Sequence, residues 1–422
     1  MSIFVPASNK TRTKMNDNTD ILDNLIDMGV APVQEVKTIK VIGVGNGGCN
    51  AVDNLASENI DNVSCLVCDS NASALSSHRG VPHRLLLGDG RGFGGKVERG
   101  REIAEEHAEE ISKAMDDGAK IIIIATSMGG GTGTAAAPIF AREAKKLGLL
   151  TLAIATLPPS REKLPRALLA LDGLDRLAKE VDALLVISND RVEEVYSEES
   201  VDVGFKAADN VLCDAVRSIA GIIGMIGLIN MDLSDVQTAL EHSGVAVIST
   251  GRSSGENRVE NAIKAAVTSP LLNNNDIYKS THLLMRVSYD PAGSRPMQMR
   301  EFRQIDAFSA KFGVNTWVKT GIDTEEGLGD DIRITILAAG FGLYGDSNTE
   351  TANPKDAIDD RVRRFFPNLA YPLPQPMPED IEEEESDEED TAPTEETGRE
   401  REGKSLWEKF SDFVTDMLKP EA

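Results

Sequence analysis

Cysteine is scarce in this 422-residue chain: Cys49, Cys65, Cys68 and Cys213 are too few for a disulfide framework. Cys65 and Cys68 form a CxxC, but the surrounding "VSCLVCDS" reads as a buried strand. A zinc site would need a second ligand pair, and none stands nearby. Aromatic residues make up only 5% of the chain, and no apolar run has the length needed to span a membrane. The opening "MSIFVPASNKTRTK" lacks the apolar core of a secretory signal. Basic residues are also in deficit, with 44 Lys and Arg against 69 Asp and Glu and a net charge of −25. That balance argues against a nucleic-acid partner, and the lack of a long apolar run argues against direct membrane insertion. Together these absences lead us to expect a reduced, cytoplasmic protein.

What is present is a hydrophobic content of 41% and a strong alternation of patterns. "IKVIGVG", "VSCLVCD", "RLLLG", "KIIIIATS", "LLTLAIAT" and "DALLVIS" are continuous apolar runs, as strands buried on both faces should be. Segments of helical period such as "GREIAEEHAEEISKAMDD" and "PIFAREAKKLG" lie between them. The alternation predicts an α/β fold with a doubly wound parallel sheet. After "GLINMDLSD" a smaller α/β unit follows, with helices in "SDVQTALEHSG" and "ENRVENAIKAAVTS" and strands in "AVIST", "THLLMRVSY" and "DDIRITILAAGF". The composition then changes to "PMPEDIEEEESDEEDTAPTEETGREREG", a solvated run that cannot bury a core and is expected to be disordered.

Two glycine loops sit at strand ends. In "VIGVGNGGCNAV", Gly43, Gly45 and Gly48 satisfy G-x-G-x-x-G between a strand and a helix, and Asp69 closes the next strand. Alone, this is a weak dinucleotide signal. The second loop, "MGGGTGT" over residues 128–134, has no lysine and so is not a Walker A loop. Both loops would aim backbone N–H groups and helix N-termini at one crevice, an arrangement suited to a triphosphate. Gly129, Gly130, Gly131 and Gly133 can wrap oxygens while Thr132 and Thr134 add hydroxyl donors. The alternative is that the glycines serve tight packing between two crossovers.

"MGGGTGT" is the signature of the tubulin and FtsZ superfamily, and the chain from about Lys37 to Phe341 resembles the bacterial FtsZ family. "NDRVEEVY", "GLINMDLSDVQTAL", "GENRVENAIKAAVTSPLL" and "GLGDDIRITILAAGF" resemble segments of that family in the same order. The resemblance implies a cytoskeletal cell-division GTPase that binds GTP and GDP, with Mg2+ held mainly through the nucleotide and K+ as a further candidate. It implies that Gly45, Asn46, Gly47, Gly48 and Asn50 cradle phosphates, with Ser70 and Gly94 near them. The loop containing Gly94 lacks the family's Asn-Pro, and Asn46 replaces a common glycine. Glu162 and Arg166 match a ribose-contacting pair, and Asn189 a sugar or base contact. Phe205 matches the aromatic that stacks on guanine, and Asp209 the carboxylate that reads it. A carboxylate accepting from guanine N1 and N2 would reject adenine, which lacks that donor pair. Phe205 could also be core, and Glu162 a solvated charge.

The resemblance further implies that Asn230, Asp232 and Asp235 enter the nucleotide site of the next subunit and act on water there, so that a head-to-tail homopolymer forms with open ends. Asp235 could equally be a helix N-cap, whereas Asp232 has no such alternative in the sequence. The expected organisation is a flexible arm at 1–36, a GTP-binding domain at 37–203, and a central helix leading into the catalytic loop at 204–230. A C-terminal α/β domain at 231–342, a disordered acidic linker at 343–404 and a terminal amphipathic helix at 405–418 follow. That helix, "SLWEKFSDFVTDML", is the expected docking segment for division or membrane-anchor proteins. Residues 361–374, "RVRRFFPNLAYPLP", are a second candidate, with packing back onto the second domain as the alternative. Two rivals remain: a slowly hydrolysing scaffold filament, and a Rossmann-type dinucleotide enzyme with no use for the second loop.

Overall fold

The apolar runs become strands and the periodic segments become helices. In chain order the elements are β1 (Ile39–Val44), α1 (Gly45–Ser57), β2 (Val63–Asp69), α2 (Ala72–Ser77), β3 (His83–Leu86), α3 (Val97–Glu106) and α4 (Ala108–Met115). There follow β4 (Ile121–Ser127), α5 (Gly131–Lys146), β5 (Leu150–Leu157), α6 (Lys163–Glu180), β6 (Ala183–Ser188), α7 (Asn189–Val195) and the long α8 (Val201–Ile223). The second unit contributes β7 (Gly227–Ile229), α9 (Leu233–Leu240), β8 (Gly244–Ser253), α10 (Arg258–Val267), β9 (His282–Tyr289), α11 (Met299–Ser309), β10 (Trp317–Thr324) and β11 (Ile332–Phe341). The structure, a computed structural model, describes residues 37–223, 227–268, 277–343 and 361–369, without the side chains of 201, 202 and 204–209. The expected N-terminal arm, most of the acidic linker and the helix at 405–418 lie outside the described residues.

The sheet runs β3-β2-β1-β4-β5-β6-β8-β11-β9-β10-β7. Its first six strands are parallel, so the doubly wound half is as the alternation predicted. β4 shows why its sequence is uniformly apolar. Ile121, Ile123 and Ala125 enter the core that also holds Val216 and Ile219 of α8, while Ile122 and Ile124 enter the opposite core with Phe140 of α5. A strand covered on both faces has no polar side to show. The smaller unit does not form a separate sheet. β6 and β8 pair in parallel at Ala183–Gly244 and Leu184–Val245, which carries the sheet across into the antiparallel β8, β11 and β9. The periodic segment read as one helix over 100–117 divides at His107 into α3 and α4.

One expectation needs correction. Residues 361–369 fall in the expected solvated linker, and 361–374 are expected to form a free partner motif or to pack on the second domain. Residues 361–365 form a helical turn whose apolar face is instead buried on the first domain. Val362, Phe365 and Phe366 are only 1–3% exposed and share a core with Phe140 of α5 and Leu174 and Leu177 of α6. Arg361 Nη1 lies 2.6 Å from Asp175 Oδ2 on α6, and Asn368 Nδ2 donates to Glu194 Oε1 on α7 at 3.0 Å. Three large apolar side chains at helical spacing gain more from burial than a solvated tether could give them.

Candidate functional site: a cleft between two glycine loops

The connections from β1 run one way across the sheet and those from β4 run the other. The crevice at the carboxyl ends of these neighbouring strands is where an open α/β sheet binds its ligand. α1 and α5 both begin there. Their N-caps, Val44 and Gly130, make no side-chain capping bond, and neither helix has an acid in its first turn. Two adjacent helix starts therefore present unsatisfied N–H groups and positive dipole ends to the same space. The short α2 beside them is capped by contrast: Asn71 Oδ1 accepts from the N–H groups of Ser73 and Ala74 at its start.

The cleft has a volume of about 440 Å3. Of the residues nominated from sequence, Gly45, Asn46, Gly47, Ser70, Gly94, Gly130, Gly131, Thr132, Gly133, Glu162, Arg166 and Asn189 line it. The loops are locked together: a Cβ on Gly45 would lie 2.8 Å from the Gly133 nitrogen, and one on Gly133 would lie 2.6 Å from the Ser127 carbonyl oxygen. Gly130 is different, since nothing stands within 4 Å of where its Cβ would be. The glycines thus answer two needs, close packing of the crossovers and open backbone facing the cleft. Ser70 Oγ and Thr132 Oγ1 share a hydrogen bond of 2.7 Å, which ties the end of β2 to the second loop.

Other nominated residues stand elsewhere. Gly48 packs against the Ala125 carbonyl, and Asn50 is exposed on α1 away from the cleft lining. Thr134 is fully buried, and its Oγ1 accepts from the Gly129 N–H at 2.9 Å, closing the loop from within. Those two residues shape the loop without lining the cleft. Phe205 and Asp209 lie on α8, but their side chains are outside the described residues. Sequence reasoning missed Phe93, Ser127 and Thr156, which also line the cleft. Ser127 and Thr156 hydrogen-bond at 2.7 Å, and the signal was the polar residue ending each apolar run.

The donor set fits a nucleotide. Asn189 Oδ1 is buried at the cleft wall without a partner among the described residues, an acceptor left for a ligand donor. Glu162 and Arg166 face each other at 2.6 Å on the lip. Between them Lys163 holds φ +68°, ψ 171°, a conformation glycine adopts readily and other residues at a cost. Asp69 is 4% exposed, and burial raises its carboxyl above the usual range against the N–H bonds from Asn71 and Ser70. Among the described residues no cluster of three acidic, His or Cys side chains could hold an ion alone. The CxxC cysteines are unoxidised, and burial pushes the Cys65 thiol up to about 11, as suits a core strand.

Asn230, Asp232 and Asp235 are remote from this cleft. They follow β7, the far edge strand, which is separated from β4 by β5, β6, β8, β11, β9 and β10. At about 4.8 Å per step, the seven steps span roughly 34 Å across the sheet. Here the structure corrects the sequence reading: Asp232, not Asp235, is the N-cap of α9. Asp232 Oδ1 accepts from Ser234 N (2.9 Å), Ser234 Oγ (2.6 Å) and Asp235 N (3.1 Å), while Asp235 Oδ2 accepts from Asp232 N at 3.1 Å, completing a capping box. Asp232 Oδ2 has no protein partner among the described residues. The Ser234 hydroxyl, then the Asp235 N–H, hold the Asp232 carboxyl below the usual range, with Lys319 contributing. Beside the loop Leu228 and Ile229 are 72% and 37% exposed.

Comparison with known proteins agrees with this geometry. The family description "Tubulin/FtsZ family, GTPase domain" matches residues 38–197, and "FtsZ family, C-terminal domain" matches residues 244–342. The chain is 42% identical over 313 residues to the cell division protein FtsZ of Porphyromonas gingivalis, covering 72% of this chain and 67% of that one. It is 35% identical over 348 residues to the cell division protein FtsZ of Pseudomonas aeruginosa, covering 81% and 85% respectively. An empty FtsZ dimer from M. jannaschii superposes with a TM-score of 0.65 at 32% identity, covering 77% of this chain and 92% of that one. On the matching domains, the shared fold and the cleft between its two glycine loops, this chain belongs to the Tubulin/FtsZ family and is a GTPase that binds GTP and GDP.

Proposed function

We propose that hydrolysis occurs only between two copies of this chain, with Asp232 and Asp235, aided by Asn230, entering the nucleotide cleft of the next copy. The protein is a cytoskeletal cell-division GTPase that self-associates into filaments. The observation that carries the trans reading is the separation of the two halves of the site. The cleft holds the phosphate-binding backbone, and among the described residues its carboxylates are a buried Asp69 and a paired Glu162. The exposed loop after β7 carries two carboxylates and no phosphate cradle, at the opposite edge of the sheet. A head-to-tail contact brings the halves together and leaves open ends.

In this reading the N–H groups at the starts of α1 and α5 hold the phosphates and the growing charge. Glu162, Arg166 and Asn189 hold the sugar, and Phe205 and Asp209 on α8 stack on and read guanine. Mg2+, held mainly through the triphosphate, would neutralise phosphate charge there, and K+ is a further candidate. The free Oδ2 of Asp232 accepts a hydrogen bond from the attacking water and orients it; its lowered proton affinity suits orientation and polarisation. The chain acts in the cytoplasm at the division site, with residues 405–418 recruiting division or membrane-anchor proteins.

GTP turnover per molecule should be measured against protein concentration, with light scattering, for wild type and Asp232→Ala. Turnover that rises steeply with concentration, and a mutant that assembles without hydrolysing, is the expected outcome. Turnover independent of concentration, or an active mutant, would refute the shared site.

A further inference from the structure

The capping box of α9 is complete without outside help, yet a third group is aimed at it. Lys319, on β10, places Nζ 3.2 Å from Asp235 Oδ1. β10 is the strand that pairs with β7, at Ile322–Ile229 and Asp323–Gly227. Asn230 is fixed to the same platform, its Oδ1 accepting from the Gly227 N–H at 2.7 Å. Each of the three polar residues of the loop is therefore tied down. Asn230 is held by β7, Asp232 by the start of α9, and Asp235 by both the capping box and Lys319.

The pair has little to do with holding the fold. Lys319 is 37% exposed beside an Asp235 carboxylate that is 16% exposed, and an ion pair open to solvent at one end contributes modest net stability. What it changes is the loop that meets the neighbour's phosphates. Two carboxylates approaching a triphosphate are repelled by it, and a cation beside one of them halves that charge. A lysine held against Oδ1 also leaves Asp235 Oδ2 committed to the Asp232 N–H, which in turn fixes the direction of the free Asp232 Oδ2.

We infer that Lys319 is a positioning residue for hydrolysis: through Asp235 it sets the orientation and charge of the carboxylate pair that enters the next copy's cleft. The inference rests on the trans reading given above. The test compares wild type, Lys319→Ala, Lys319→Arg and Asp232→Ala as full-length chains. Turnover per molecule at saturating protein, the concentration at which turnover begins, and the melting temperature are measured for each. Lys319→Ala is expected to lower saturating turnover about tenfold, with the onset concentration and melting temperature unchanged. Lys319→Arg, which can reach the same carboxylate, should restore most of the rate.

Saturating turnover within twofold of wild type in Lys319→Ala overturns the inference. So does a loss that arginine fails to restore, a shift only in onset concentration, or a lowered melting temperature. If Asp232→Ala keeps full turnover, the trans reading itself has failed and the role of Lys319 falls with it. A silent Asp232→Ala beside a fully active Lys319→Ala removes the lysine alone.

Discussion

A methyl group at Gly133 tests whether the glycine loops must touch. In Gly133→Ala the new Cβ would stand 2.5 Å from Thr126 Oγ1, 2.6 Å from the Ser127 carbonyl oxygen and 3.2 Å from the Val44 carbonyl oxygen. Two of these are backbone atoms at the ends of β4 and β1, which cannot retreat without disturbing the parallel ladder between the strands. The third is a buried hydroxyl that donates to Val44 O at 3.2 Å and would have to give up that bond. Overpacking of this kind costs about 1–3 kcal/mol, and an unpaired buried hydroxyl adds roughly 1 kcal/mol. The expected loss is about 2–4 kcal/mol, a fall in melting temperature of roughly 5–15 °C for a domain of this size. Calorimetry without nucleotide measures it. Gly130→Ala is the partner experiment, because Gly130 has φ −91°, an ordinary value, and open space where a Cβ would go. It should melt as wild type does, while a fluorescent GTP analogue binds more weakly because the methyl intrudes on the phosphates. A Gly133→Ala chain melting within about 1 °C of wild type would refute the packing argument. A Gly130→Ala chain with unchanged affinity would refute the cradle.

Two further outcomes follow from the packing and the charges. Phe366→Ala removes a side chain that is 2% exposed and should cost about 3–5 kcal/mol in thermal unfolding; a change below about 1 kcal/mol would mean that residues 361–369 do not dock. Glu301, Asp290 and Asp330 are all held below the usual carboxylate range. Burial alone would raise Glu301, and the bonds from Arg258 and Gln298 outweigh it; N–H donors of Ala292 and Gly329 lower Asp290, and the Ser294 hydroxyl leads for Asp330. A depressed native pKa stabilises the fold above the unfolded value and is lost as pH falls through the native one. The melting temperature should therefore hold from neutral pH to about pH 5 as far as these groups decide it, and drop below about pH 4. A Glu301→Gln chain with the same neutral stability and the same acid slope would contradict this.

The doubly wound half of the fold was legible because its strands are buried on both faces. β1, β2, β4, β5 and β6 are continuous apolar runs, and a run of that kind has few alternatives. β10, "WVKTGIDT", has no such run: Lys319 and Thr320 are half-buried on opposite faces, and the polar Asp323 is buried through bonds from Arg286 and Ser288. α6 carries its signal openly, since Leu168, Leu171, Leu174 and Leu177 recur at helical spacing on its buried face. The split at His107 left no mark in the pattern, since α3 and α4 continue the same periodicity.

Much of the site was legible for a related reason. Glycines between a strand and a helix are costly unless backbone must come close to something, so the two loops identified themselves. The sequence determined that these loops exist, which strands precede them, and which polar residues end the runs. Tertiary structure decided how the glycines divide, with Gly133 wedged between Ser127 and Val44 and Gly130 against open space, because that depends on two loops far apart in the chain, at Gly45 and Gly133, being brought into contact. It decided that Asp232 caps α9, that Lys319 reaches Asp235 from another strand, and that Phe365 and Phe366 leave the tail for the core. Local pattern records burial and turn chemistry, since these act between near neighbours. Which distant side chain completes a hydrogen bond or fills a hollow is fixed only when the sheet brings the strands side by side.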